Sequence, residues 1–381
     1  MTEGGSGPAE QLAVECFSEL HRREVAAFNR RLGSREEGAE FPTVSGEGWL
    51  PHLPDRTLYQ QYFVAVGKSG VVRGTYILKI QEYQIGDEIV SIGDFRLPIS
   101  EGIIDKEYSW VAAELLHDCL RRNPLLYGLG MGGYDQPITK FLKAGRWKIT
   151  TVPFFFKVVH PFHFLRHMEL LRKSTLRRVL LDLGALTGIG VLGIKLIHAW
   201  RGRRRICEDT ITVRLISEFG SWADALWSDR RTEYKMTAVR DAETLRILYP
   251  AHERKFLRIQ VLREDQLVGW VVMLDTRFDD HKQFGQMRLG SIVDGFCALA
   301  DAPAVVHAAT TFLEDRGVDL VVTNQAHHVW CAAFGAAGFL PGPSNFLLGT
   351  SIPLTRLLKK LQIPDNEIHM TRGDGDGPIH L

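Results

Sequence analysis

The chain has 381 residues, 45% hydrophobic and 24% charged, which excludes a mainly disordered protein and, at ~150 residues per domain, asks for two or three folded units. Five scattered cysteines (Cys16, Cys119, Cys207, Cys297, Cys331) form no Cys-x-x-Cys pair and the N-terminus lacks a secretory signal; this excludes a disulfide framework or thiolate zinc site and points to a cytoplasmic protein. The net charge of +1 conceals nine Lys or Arg against the single acid Asp182 between Arg172 and Arg205, too local a basic run for a nucleic-acid track.

In chain order, Leu12, Cys16, Phe17, Leu20, Val25 and Phe28 predict a helix over 10–31, inside a lead-in of 1–54. Strands at 62–66 and 71–80 flank the turn Gly67-Lys68-Ser69-Gly70 as a hairpin, and a third strand follows at 88–97. A helix over 108–123 stops at Asn123-Pro124, because a residue before proline disfavours helical geometry. A strand at 125–131, a glycine-rich corner, a helix at 136–145 and a strand at 151–159 complete a first domain assigned to 55–168.

A linker of 169–206 holds an apolar helix at 179–200, flanked by basic residues and charged only at Asp182 and Lys195. It has the length of a bilayer span, but its four glycines weaken it as a helix in water, and Gly184 and Gly188 form a Gly-x-x-x-Gly pair. Three readings stay open: a span, a helix buried between domains, and contact of 172–205 with a membrane surface through basic anchors.

The second half, 207–362, repeats the order of the first: strands at 256–262, 267–274 and 287–296, a helix at 302–317, a strand at 318–324, a helix at 327–338 and a strand near 344–350. Ser91-Ile92-Gly93-Asp94 matches Ser291-Ile292-Val293-Asp294, and the Ala-Gly-aromatic turns at 143–147 and 336–339 correspond. The tail, 363–381, reads as flexible.

This doubled order, closed in each half by the Ala-Gly-aromatic turn, resembles the GNAT acyltransferase superfamily over about 55–165 and 210–355. The resemblance implies an α/β (α+β) fold of two tandem mixed-sheet domains joined by the apolar helix. It also implies acetyl-CoA or another acyl-CoA as co-substrate, lying where the central strand parts from its neighbour, with its diphosphate over the N-terminus of the main helix. The acyl group would pass to an amine or hydroxyl of a small-molecule or glycan-precursor acceptor. Tandem copies are similar to enzymes of cell-envelope and exopolysaccharide assembly. FemABX-type aminoacyl transferases also pair two such domains, and a binding scaffold without chemistry is the non-enzymatic alternative.

Both halves depart from the family's (Arg/Gln)-x-x-Gly-x-(Gly/Ala) diphosphate loop. Residues 105–112 contain no glycine and include the carboxylates of Asp105 and Glu107, while Asp301 and Pro303 read as the cap and first turn of a plain helix. Gly128, Gly130, Gly132 and Gly133 offer bare backbone as a substitute cofactor-binding corner, or mark an ordinary strand-to-helix turn. Phe141 and Phe334 stand where the family places a tyrosine acid.

Asp94 and Asp294, at matching places on the central strands, and Glu101 in the following loop are the candidate general bases, with loop capping as the structural alternative. Asn324, His327 and His328 are candidate acceptor-binding residues; His327 and Cys331 also have the four-residue spacing of an imidazole–thiol pair, without a third member. His160, His163 and His167 read as surface residues rather than a metal site, because Pro161 interrupts the helix and no acid completes a shell.

Overall fold

The computed structural model describes residues 12–33, 40–43, 50–53, 56–172, 174–190, 192–194, 196, 211–281 and 284–375. The chain opens with a short strand, β1 (Ala13–Cys16), and reaches a helix only at α1 (Arg22–Leu32). The predicted single helix is therefore half strand: β1 pairs antiparallel with β2 (Tyr59–Val66) and covers an edge that would otherwise leave a row of amides open.

From β2 the sheet continues through β3 (Val72–Ile85) and β4 (Glu88–Ser100). Helix α2 (Val111–Arg122) lays Val111, Leu115 and Cys119, one per turn, on this sheet. It lies close because residue 74 is glycine: a Cβ there would sit 2.7 Å from the Val111 side chain. Then come β5 (Leu126–Leu129), α3 (Pro137–Ala144), β6 (Lys148–Thr151), β7 (Phe154–Val158), α4 (Pro161–His167) and α5 (Thr175–Leu186).

In the second half, β8 (Ile211–Ile216), α6 (Ser221–Arg230), β9 (Met236–Ala238) and α7 (Ala242–Leu248) precede the long strands β10 (Leu257–Arg263), β11 (Gln266–His281) and β12 (Gly285–Cys297). Helix α8 (Ala302–Asp315), β13 (Leu320–Asn324), α9 (His328–Ala336), β14 (Leu340–Gly342), β15 (Leu347–Thr350), α10 (Ile352–Lys360) and β16 (Ile368–His369) follow. Gly269 repeats the device of Gly74: a Cβ there would meet the Val305 side chain of α8 at 2.7 Å.

The strands form two sheets of one pattern, β1-β2-β3-β4-β5-β15-β6 and β8-β10-β11-β12-β13-β7-β14. Along these orders each sheet takes one strand from the other half of the chain. The strand predicted at 151–159 splits at Val152-Pro153: β6 stays in the first sheet, while β7 crosses to pair antiparallel with β13 and β14. In return, β15 inserts between β5 and β6. The two copies are thus interlocked by a reciprocal exchange of strands, and β9 with β16 extends the first sheet from β3.

The linker differs from a continuous helix at 179–200. Helix α5 ends at Leu186, the chain turns at Gly188 with φ of +75°, and the close glycine contact is Gly184 against Gly190 instead of Gly188. Among the described residues no helix is long and apolar enough to cross a membrane. The tail also departs from expectation: Ile368, His369, Met370, Thr371 and Asp374 are buried between the two copies.

Candidate active site

Both central strands part from their parallel neighbour at one place. β4 pairs with β5 only through Gly93↔Leu126 and Asp94↔Tyr127, and β12 pairs with β13 up to Ile292↔Thr323. Beside each parting lies a bulge. On β4 one extra residue falls between the partners of Thr75 and Ile77, with Leu97 at φ +44°, and on β12 Val293 is the extra residue next to Asp294. A bulge removes a residue from ladder pairing, and Pro98 within β4 is the sequence sign of one.

Asp94 and Asp294, aligned by the sequence repeat, do not share a register: Asp94 pairs with Lys79 and Tyr127 ahead of the β4 bulge, whereas Asp294 pairs with Val272 just past the bulge at Val293. Their surroundings differ as well. Asp294 is almost fully buried and saturated: Arg240 donates through Nε and an Nη, at 3.2 and 3.0 Å, the Gly295 amide at 2.9 Å, Thr371 Oγ1 at 3.1 Å and Tyr249 Oη at 3.0 Å. Arg240 also holds Asp374 at 3.0 Å. Burial pushes the Asp294 carboxyl up, and Arg240 offsets part of that rise.

Asp94 is equally buried, but among the described residues neither of its oxygens accepts a hydrogen bond; Arg96 Nε lies 3.8 Å away. Burial raises its carboxyl to about 7, opposed by the charges of Arg96 and Lys79. Lys79 sits directly opposite on β3 and donates to the Asp374 carbonyl at 2.6 Å; burial lowers its ammonium to about 8. Gln81, two residues along on the same face, is buried with both ends of its amide unpaired among the described residues. Arg96 closes the row through Gln60 at 3.2 Å. Buried polar atoms without partners are rare in folded proteins, and those of Asp94 and Gln81 share one face of the first sheet.

The second parting is filled by the chain's own C-terminal segment. Thr371 bridges Gln325, the Ala326 amide donates to the Met370 carbonyl at 3.1 Å, and the Asp374 carbonyl accepts from Tyr127 Oη at 2.8 Å. Arg372 reaches Asn324 Oδ1 at 3.4 Å and lies 6.0 Å from the centre of the Phe346 ring, which also borders Gly130.

The other sequence candidates fall as follows. Glu101 is buried and both its oxygens are taken, by Arg31 at 2.7 Å and Arg73 at 2.8 Å, so it staples α1 to the sheet. Gly128 ends β5, while Gly130, Gly132 and Gly133 all have positive φ and turn the chain toward α3. Asn324 is buried at the end of β13; His327 is fully buried and caps α9 by accepting the Val329 amide at 3.3 Å; His328 is exposed.

The Cys331 thiol donates to the Gln325 carbonyl at 3.2 Å and is pushed up to about 12 by burial, while burial lowers His327 to about 4. That rules out an imidazole-activated thiolate. His327, His328 and Glu367 come close enough to hold a metal ion. However, the cap bond uses the Nδ1 lone pair of His327 and leaves Nε2 to carry the proton instead of offering a ligand. Pro161 begins α4 instead of interrupting a helix, and Asp319 from the second half bonds His160 at 3.1 Å.

The loop before each main helix spends amides within the protein. In the first copy the loop amides are spent on two tight turns: Gly102 donates to Ser100 Oγ, Ile104 and Asp105 to the Glu101 carbonyl, and Glu107 to Asp105 Oδ1. In the second, the carboxylate of Glu233 already takes the Leu299 amide at 2.7 Å.

No family model and no curated protein matches this chain. Solved structures do. A probable N-acyltransferase from Enterococcus faecalis V583, described as a conserved protein of unknown function, matches with TM-score 0.50 and 11% identity over 92% of this chain and 74% of that one. A GCN5-related N-acetyltransferase from Anabaena variabilis ATCC 29413 matches with TM-score 0.52 and 8% identity, over 89% and 72%. Saccharomyces cerevisiae N-myristoyltransferase with bound myristoyl-CoA matches with TM-score 0.50 and 9% identity, over 92% and 80%. The protein has the GNAT acyltransferase fold, repeated twice along the chain. Its own form of that fold is an interlocked pair of copies, one with a saturated and one with an unsaturated aspartate.

Proposed function

We propose that the chain is an acyltransferase whose working site is the first copy, with the second copy and the C-terminal segment as its wall. The observation that carries this reading is the contrast between the two aspartates that the sequence repeat aligns. Both oxygens of Asp294 accept hydrogen bonds, whereas among the described residues neither oxygen of Asp94 does, and burial raises the Asp94 carboxyl to about 7, where a general base can work. In this role Asp94 takes the proton from an acceptor amine or hydroxyl as that group attacks the acyl carbonyl and the thioester C–S bond breaks. Lys79 and Arg96 hold Asp94 within a positive field.

Acetyl-CoA or a longer acyl-CoA is the proposed donor. Because the α2 loop amides are engaged, and in the 128–133 corner those of Gly130 and Gly132 donate to the Leu347 and Gly130 carbonyls, its phosphates would rest instead on Arg372, beside that corner. The spent helix N-termini favour a second reading, a scaffold that has lost the donor. Calorimetric titration with acetyl-CoA and a long-chain acyl-CoA separates the two: no heat at millimolar ligand sinks the enzyme. Binding that survives in Asp94→Asn together with unchanged turnover sinks the base but keeps the donor site.

A further inference from the structure

The linker carries an apolar surface that neither the acyl-transfer reading nor the packing of the two copies uses. One face of α5 is inside: Leu181 and Ala185 pack with Phe164, Leu165, Met287 and Leu320. The opposite face is bare. Val179, Leu180, Leu183 and Leu186 on it, and Ile189 and Leu192 beyond the turn at Gly188, are each at least half exposed, up to 74% at Ile189. This is a larger run of large apolar side chains than a soluble surface ordinarily leaves to water, and such patches mark interaction sites.

The charge of the segment decides what covers it. Nine Lys or Arg lie between Arg172 and Arg205. The one acid among them, Asp182, is neutralised by a two-pronged contact from Arg172 at 2.7 and 3.0 Å. A second copy of this chain would bring a like-charged segment against this one, which repels. An anionic surface attracts it, and an apolar helical face beside concentrated basic residues is the pattern of a segment lying in a bilayer interface. The turn at Gly188 and the contact of Gly184 with Gly190 fold the segment back on itself, so that it lies on a surface instead of crossing it.

We infer that residues 179–192 dock the protein on the surface of a membrane containing anionic phospholipid. The docking goes beyond the acyl-transfer reading and does not depend on it. The test is co-sedimentation of the full chain with vesicles of phosphatidylcholine alone and of phosphatidylcholine with about 30% phosphatidylglycerol. Binding is expected only to the anionic vesicles, falling several-fold as salt rises from about 0.05 to about 0.5 M. The double variant Leu183→Glu, Leu186→Glu changes two exposed positions, so its melting temperature should match wild type while the bound fraction falls about ten-fold or more. Reversing Arg203 and Arg204 to Glu should weaken binding by about five-fold per residue without altering the melt.

No binding to anionic vesicles overturns the proposal, as does binding that the leucine variant leaves intact. A wild-type dimer that the leucine variant turns into a monomer, with no vesicle binding, would assign the face to a second copy and overturn it equally.

Discussion

At the residue scale, the sequence repeat aligns two aspartates that register and environment separate. Burial holds Asp94 at about 7, above the ~3.9 of an unfolded chain. The folded protein therefore keeps a proton that the unfolded chain releases between those values, and Asp94 lowers stability as pH rises from ~4 to ~7. Asp94→Asn removes this slope: its urea midpoint at neutral pH should equal or exceed wild type, while acyl transfer falls about 10²-fold or more. A destabilised Asn variant would show that the carboxylate is structural.

Arg240→Met is the converse case. It strands Asp294 and Asp374 as buried carboxylates, and should cost about 3–5 kcal/mol at neutral pH. The deficit should shrink as pH falls toward 5, since protonation relieves the stranded charge, and urea midpoints at both pH values check the sign. Glu101→Gln loosens Arg31 and Arg73, which are partly solvent-exposed, so a loss of about 1–2 kcal/mol with turnover unchanged is expected. A hundred-fold loss of turnover with an unchanged melt would restore Glu101 as a base.

At the element scale, the hairpins, central strands and main helices were readable because their apolar periods are strong. The bulge in β4 was signalled by Pro98, which the strand prediction stopped short of at residue 97. The exchange of β7 and β15 carried no comparable mark. A strand of the type Phe154-Phe155-Phe156 is apolar on both faces and suits the interior of either sheet equally. The exchange has a measurable consequence. Residues 1–168 alone would lack β15 and leave β7 without its sheet, so this fragment should fail to give a sharp thermal transition, whereas the full chain should melt as one cooperative unit. Two separate transitions in the full chain would contradict the interlock.

At the scale of the whole molecule, the C-terminal segment decides which copy is open. Residues 368–375 cross between the sheets, fill the second parting and bring Asp374 to Lys79, Tyr127 and Arg240. By composition, Thr-Arg-Gly-Asp-Gly-Asp-Gly reads as solvated chain. Its described residues, 371–375, are packed inside because Asp374 meets Arg240 and Arg372 meets Asn324 from distant parts of the sequence, and a local reading has no access to those contacts.

The sequence by itself determined the doubled GNAT-type order of elements and the basic apolar linker, since these rest on periodicity, spacing and local charge. Only the tertiary structure decided that the copies exchange strands, that Glu101 is a staple, that Asp294 is spent and that Asp94 is left unbonded. Those outcomes depend on contacts between residues up to 295 positions apart, and burial and charge pairing at that range are properties of the folded chain, not of any segment of it.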